Sequence, residues 1–486
     1  MKKSLLYIHK MISLYGKKNT ITRINMIRKN IKQIADMLKT TFIGSDNHEC
    51  HGIELDSRKV TCGNLFIPIK GENCDGHKFA ESAVENGANI LLWNREFEIP
   101  DSLKEKAGFV LVEDTTNAFQ QLAIEYRKEL KAKFIGITGS NGKTSTKDIL
   151  AGILSRKFKT QKTLGNNNNE LGVPKTILSL DEDVEMAIIE MGVDNKGDLL
   201  FLNKMVKPDY GVLTNVGAAH LYHFNSIEDI ADAKIEMIEC VNDGGYFIYN
   251  DDNKYIKDAM NRVDLPNKIN YLSFGNTCSS DIYFTNLITD ENGVKFNCHG
   301  FIDIPIEIDL LGKHQSYNSL SAIAIAKLCG MNEEEIIEGL KLIEPTGLRN
   351  ELLKVNGMTI LNDSYKSNPE SVYAAMDTFE ELKSPFKIVV LGDMLGLGKA
   401  EKEMHTELCA NMEKYEFDKL VLIGIFAEDM KLGALNYMDE KDIYIAKNND
   451  DITDYLLGYL DKECTMVIKA SRDLQLDEVV NNLKNN

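Results

Sequence analysis

The stretch "KFIGITGSNGKTST", residues 133–146, decides the fold. Its first half is an apolar run up to Thr138, which reads as a buried strand. Its second half ends in Gly142-Lys143-Thr144, the close of a phosphate-binding loop, where glycines let backbone N–H groups face phosphate oxygens ahead of a helix. The usual loop has four residues between its two glycines. Here that first place is Ile137, and the nearest glycine on the loop side is Gly139, leaving only Ser140 and Asn141 before Gly142. Strand, tight glycine turn and helix in succession begin a mostly parallel α/β sheet. Gly139, Ser140, Asn141, Gly142, Lys143, Thr144 and Ser145 are the candidate nucleotide contacts. Lys143 would reach the terminal phosphates and Thr144 would offer its hydroxyl to magnesium.

Two more apolar runs follow, "EMAIIEMG" (185–192) and "YGVLTNVG" (210–217). The first ends at Glu190 and the second just before His220. Open parallel sheets bind ligands at the carboxyl ends of their strands, so loop, carboxylate and imidazole are expected in one crevice. Taken alone, Glu190 also reads as a strand-end carboxylate satisfied by an amide, and His220 as a packed or surface histidine. Beside a nucleotide loop both become magnesium-ligand candidates. Lys234 sits in "IEDIADAKIEMIE" (227–239), and its spacing reads as an exposed helix lysine paired with acids.

The chain has 486 residues, enough for about three domains of roughly 150 each. Hydrophobic residues make up 43% and charged residues 27%, the balance of a soluble globular protein. The net charge of −18 excludes a general nucleic-acid binder, which needs a basic face. Nine cysteines form no CxxC pair, so they read as reduced thiols of a cytoplasmic protein. No apolar run reaches the length of a membrane span. Residues 1–25 are basic, and their apolar piece "SLLYIHKMISLY" is broken by His9 and Lys10 with no small-residue cleavage site. They read as an extension, either an extra helix or the product of a start placed ahead of Met26. Alternating apolar runs and helical patterns divide the rest into blocks 26–113, 114–343 and 344–486. Glu344-Pro345-Thr346-Gly347 is the expected hinge, and hairpins are expected around 276–295.

The short loop "GxxGKT" resembles that of the Mur ligase and folylpolyglutamate synthetase superfamily. So do "TNVGAAHLYHF" (214–224), "LLGKHQSYNSLSAIAIA" (310–326), "PTGLRNE" (345–351) and "LNDSYKSNPES" (361–371). Within it, three segments point to the branch that adds D-alanyl-D-alanine to UDP-N-acetylmuramoyl-tripeptide. They are "LDSRKVTCGNLFIPIKGENCDGHKFAESAVENGA" (55–88), "GNNNNELGVP" (165–174) and "VVLGDMLGLGKAEKEMH" (389–405). The likeness runs from about Met26 to the end. It implies a small α/β UDP-muropeptide-binding domain, a central parallel-sheet ATP-binding domain and a C-terminal Rossmann-like ligase domain over the three blocks. It implies ATP and Mg2+ as cofactors, a carboxylate activated as acyl phosphate, and a monomer working in peptidoglycan precursor synthesis.

Site residues carry over one by one. Lys143 and Thr144 hold phosphates and the first magnesium. Glu190 and His220 serve magnesium, and Lys234 is implied to be a carbamylated lysine supporting the second. Asn318, Arg349 and Asp363 contact the nucleotide, Arg349 at phosphate and Asp363 at ribose. Ser57 and Arg58 are candidates for the UDP end, against a salt-bridged surface turn. Two departures fall in the C-terminal block. Gly396 stands where the family usually has Glu, and Lys366-Ser367 where it has Asn-Ala. They leave the exact dipeptide open, as the sequence leaves the third residue of the peptide. The alternatives are a related Mur-type ligase with another acceptor and a nucleotide-binding paralogue without ligase activity.

Overall fold

Strand Lys133–Thr138 lies inside a nine-stranded sheet of the computed structural model, which describes residues 26–71, 74–219, 221–459 and 462–485. The extension 1–25 and His220 therefore lie outside the described residues. On one side the strand pairs in parallel with Met186–Glu190, and on the other with Tyr210–Leu213. The chain builds one flank, through Thr160–Lys162, and then crosses to build the other. That reversal leaves a crevice at the strand's carboxyl end. Parallel pairing continues through Tyr246–Asn250, Asn270–Gly275 and Ile282–Asp290. The expected hairpins are the strands Ile282–Asp290, Gly293–Gly300 and Ile304–Ile308, which extend the sheet in antiparallel fashion. Helices Lys143–Ser155 and His314–Leu328 pack on it and are mostly buried, as the apolar run "LSAIAIA" dictates.

The C-terminal strands form a six-stranded sheet in the order Glu351–Val355, Met358–Asp363, Thr465–Lys469, Lys387–Gly392, Lys419–Ile423, Ile443–Ile445. Only the first pair is antiparallel. Separate apolar clusters cover its two faces, so its strands are near-continuous apolar runs. The "GDM…H" segment is scaffolding here. Asp393 accepts the N–H groups of Ile425 (2.9 Å) and Phe426 (3.1 Å). His405 accepts the Met394 N–H at Nε2 (2.8 Å) and donates from Nδ1 to the Glu401 carbonyl (2.6 Å), which fixes a neutral tautomer. Glu401 accepts the N–H of Gly396 (3.1 Å), the position that departs from the family pattern.

By its contacts this central and C-terminal part forms one unit, and the residues up to Leu130 with Ile177–Asp183 form another. The second of these holds a five-stranded sheet ordered Thr41–Ile43, Gly108–Val112, Ile90–Asn94, Leu65–Phe66, Ile53–Glu54, parallel except for its first pair. Helix Thr115–Glu129, placed with the central block on sequence, is capped by Asp114 and packs in this unit. The "DGH" segment is also structural. Asp75 caps a helical turn and holds His77 Nδ1 at 2.7 Å, while the ring meets Trp93 and Phe97 edge-on. No helix among the described residues is long and apolar enough to cross a membrane, and all nine cysteines are free thiols.

Candidate active site

Gly139 (φ 151°) and Gly142 (φ 82°) turn the loop through conformations that other residues avoid, and a side chain at Gly142 would press on Asn318. The loop is moulded from beneath by the "TNVG" segment. Asn215 accepts the Ser140 N–H at its carbonyl (2.9 Å) and the Asn141 N–H at Oδ1 (2.7 Å). Ser140 Oγ donates to the Gly217 carbonyl (3.1 Å) and accepts the Gly217 N–H (3.0 Å). The Ser140 side chain therefore shapes the loop and leaves phosphate contact to the backbone. Lys143 Nζ donates to the Gly139 carbonyl at 2.5 Å. Burial lowers its pKa and Glu190 opposes that shift.

Glu190 is 1% exposed at the end of its strand. Its Oε2 accepts the Thr144 hydroxyl (3.0 Å) and its Oε1 the Asn168 amide (2.9 Å). Lys147 Nζ, fully buried, stands 3.7 Å from Oε2. Lys147 and Asn168 escaped the sequence reading. The first follows the loop by one helical turn from Lys143, and the second comes from the "GNNNN" loop. A buried carboxylate beside a threonine hydroxyl is a hard oxygen pair that suits magnesium. Among the described residues, which do not include His220, no three His, Cys, Asp or Glu side chains gather to hold a metal.

Lys234 corrects its own spacing. It is 2% exposed, on a helix whose buried positions include Ile230, Ala231 and Ile235. The signal was present, because Lys234 falls four residues after Ile230 on the apolar stripe rather than among the acids. Burial holds its pKa well below the usual lysine value, and Lys143 and Lys366 lower it further, with Asp194 opposing.

The C-terminal strands bring the other groups. Arg349 stacks over Tyr365 at 4.3 Å, and its Nε is buried with no hydrogen-bond partner. Its neighbours Leu348 (φ 65°) and Asn350 (φ 46°) both hold left-handed backbone, so the arginine is presented from a strained segment. Asp363 accepts from Lys469 Nζ (2.7 Å) and from the Asn350 N–H (3.3 Å). Asn318 Oδ1 accepts the Thr146 hydroxyl (3.3 Å). The side-chain amides of Asn141 and Asn368 exchange two hydrogen bonds, at 3.2 and 3.0 Å. Asn318, Arg349, Asp363, Lys234, Glu190 and the loop residues 139–145 all line one cavity of about 500 Å³. Five basic side chains, Lys143, Lys234, Lys366, Lys469 and Arg349, share the cavity lining with six acidic ones, Glu170, Glu190, Asp194, Asp198, Asp363 and Glu370, in a chain of net charge −18. The basic groups beside the loop suit a small polyanion. Lys469, at the carboxyl end of a parallel strand, was findable by the same strand-end rule that singled out Glu190.

Ser57 and Arg58 belong to the other unit. Ser57 is buried, and Arg58 is 85% exposed on a turn and paired with Asp56 at 2.8 Å.

Three family descriptions match the chain: "Mur ligase family, catalytic domain" over 49–127, "Mur ligase middle domain" over 137–326 and "Mur ligase, glutamate ligase domain" over 348–472. A UDP-N-acetylmuramoyl-tripeptide–D-alanyl-D-alanine ligase of Bacillus subtilis is 35% identical, covering 94% of this chain and 99% of that protein. The enzyme of the same name from Escherichia coli is 30% identical over 95% and 99%. A crystal structure of MurF from Acinetobacter baumannii superposes with a TM-score of 0.84 at 25% identity, covering 95% of this chain and all of that one. MurF ligase from Thermotoga maritima in complex with ADP gives 0.76 at 25% identity over 93% and 98%.

Proposed function

Because the chain belongs to the Mur ligase family, we propose as its function the ATP-driven joining of D-alanyl-D-alanine to UDP-N-acetylmuramoyl-tripeptide in peptidoglycan precursor synthesis. It is an ATP-dependent amide ligase forming ADP and phosphate. The observation that carries the specificity is likeness along nearly the whole chain to ligases of that one name.

The substrate carboxylate takes the terminal phosphoryl group of ATP, the P–O bond to ADP breaking as the acyl phosphate forms. The dipeptide amine attacks the acyl carbon, gives up a proton, and the tetrahedral adduct collapses to amide and phosphate. Charge on the moving phosphoryl group is what the protein must neutralise. The loop N–H groups and Lys143 hold the phosphates from the central part, and Arg349 reaches them from the C-terminal part. Its unpartnered Nε–H is a donor in want of an acceptor. Asp363 accepts from the ribose hydroxyls, and Asn318 lies against the nucleotide. Thr144, Glu190, His220 and a carbamylated Lys234 are the residues to hold Mg2+, which would draw charge from phosphate and carboxylate together. Ser57 and Arg58 are assigned to the UDP end. The domain roles follow: UDP-muropeptide binding over 26–113, ATP binding over 114–343 and ligation over 344–486.

Phosphate release with UDP-N-acetylmuramoyl-tripeptide, measured with and without D-alanyl-D-alanine, tests this. Release should need both, and Lys143→Ala should lose it by about a thousandfold or more while keeping its melting transition. Release with a different amine would make the chain a related ligase, and nucleotide binding without release an inactive paralogue.

A further inference from the structure

The segment Asp363–Pro369 leaves the strand Met358–Asp363, lines the cavity with the phosphate loop, and is fixed at both ends. At its start Lys469 Nζ, 1% exposed, donates to Asp363 Oδ2 and to the Lys366 carbonyl, each at 2.7 Å. Ser364 donates to Asn362 Oδ1 at 2.8 Å. At its end Asn368 accepts the Ser371 N–H (2.9 Å) to cap the helix Pro369–Glu381, and pairs with Asn141 of the loop itself. Lys366 sits between these anchors and lines the cavity with Lys143, Lys234 and Arg349. The charges that face it are Lys143, Asp194, Arg349 and Glu190, and it in turn bears on Lys234. All of these but Asp194 are groups assigned above to the transferring phosphoryl group and its metal. The like charges of Lys143, Lys366 and Arg349 favour the entry of a polyanion between them.

Resting on the ligase reading, we propose that Lys366 is a phosphate-binding residue of this enzyme, its ammonium contacting the terminal phosphate of ATP and then the acyl phosphate made from it. The family pattern that the sequence resembles has Asn at this position. Burial and the nearby Lys143 bring its pKa down to about 7, with Asp194 and Glu190 opposing. Through Lys469 and Asn368 its placement depends on both the ribose side and the loop, so it is delivered only when the two parts of the cleft meet.

Dissociation constants for ADP and for a non-hydrolysable ATP analogue, both with magnesium, separate this contact from general nucleotide binding. Lys366→Met should weaken the analogue about tenfold or more, leave ADP within about twofold, and lower kcat by about tenfold or more, with Lys366→Arg restoring most of each loss. Equal weakening of both nucleotides, or no weakening of either, with melting transitions unchanged, would overturn the assignment. These binding measurements do not need turnover. If the unaltered enzyme released no phosphate on its substrates the ligase reading would fall, while the ratio of analogue to ADP affinity would still decide on Lys366.

Discussion

A lysine amine buried beside two other lysines gives up its proton more readily, and the neutral amine adds to carbon dioxide, losing a proton to give a carbamate. Lys234 is such a group. As an ammonium it would repel a magnesium ion; as a carbamate it offers the anionic oxygen that magnesium prefers. Isotope-labelled bicarbonate should therefore give a carbamate carbon signal that is absent in Lys234→Ala. That variant should lose about a thousandfold in turnover and regain part of it with added formate or acetate. An unlabelled Lys234, or a variant with near-normal turnover, would return it to the role of a packed helix lysine. At this scale the sequence was legible where a residue's chemistry depends on its immediate neighbours. Gly142 and Lys143 are read from the loop alone. Glu190 is read from its strand end. Lys147 was not, because nothing local tells that the face it occupies is the one turned to Glu190.

Elements were legible wherever an apolar run or stripe had to be buried, so the strands around the loop and their parallel pairing follow from "KFIGIT", "EMAIIE" and "YGVL". The linking segments were legible only in part. "DGH" and "GDM" pointed to the right family, yet their histidines are structural, His77 and His405 each holding backbone N–H groups. Helix His314–Leu328 gives a pH prediction of the same kind. Its first residue, His314, is partly buried and meets the Asn350 amide, and desolvation pushes its pKa down to about 4 from 6.5, with Asp363 and Asp377 opposing and Lys469 and Lys313 assisting. The folded chain keeps His314 neutral while the unfolded chain takes up a proton from pH 6.5 downward. Stability is thus full above 6.5 and falls as the pH drops towards 4, by about 3 kcal/mol at most from this group. Denaturant midpoints measured from about pH 7 to about pH 4.5 should fall, and His314→Gln should flatten that slope. An unchanged slope in the variant would assign the acid limb to other groups.

Over the whole molecule, the proposed catalysis asks residues from the middle and the end of the chain to touch one nucleotide. The central and C-terminal parts already meet through Asn141 and Asn368, and through Glu370, which accepts the Ala218 N–H at 2.9 Å. Both bonds run from the two sides of the phosphate cleft, so nucleotide and peptide substrate should favour the joined state. Small-angle scattering should show the protein more compact with both bound than free. Identical profiles under saturating ligand would mean the join is complete without them. The expected hinge at 344–347 proves to be only half free. Lys162 Nζ holds the Glu344 carbonyl (3.2 Å), and Asp148 accepts the Thr346 N–H (2.7 Å). Pro345 and Gly347 announced a break, but the carboxylate that pins its first half lies far away in sequence.

That pin sets the length of a tether. With Thr346 fixed and strand Glu351–Val355 already part of the C-terminal sheet, residues 347–350 alone join the two. From Thr346 to Glu351 is five residue steps, about 17 Å fully extended. The two ends of the joint can draw no further apart than that unless Asp148 lets go. A leash so short keeps Arg349 and Asp363 at high effective concentration over the phosphate loop even when the cleft is open, so re-engagement is a local search rather than an encounter. Lengthening the leash, by insertion after Gly347, would dilute those groups without touching one of them.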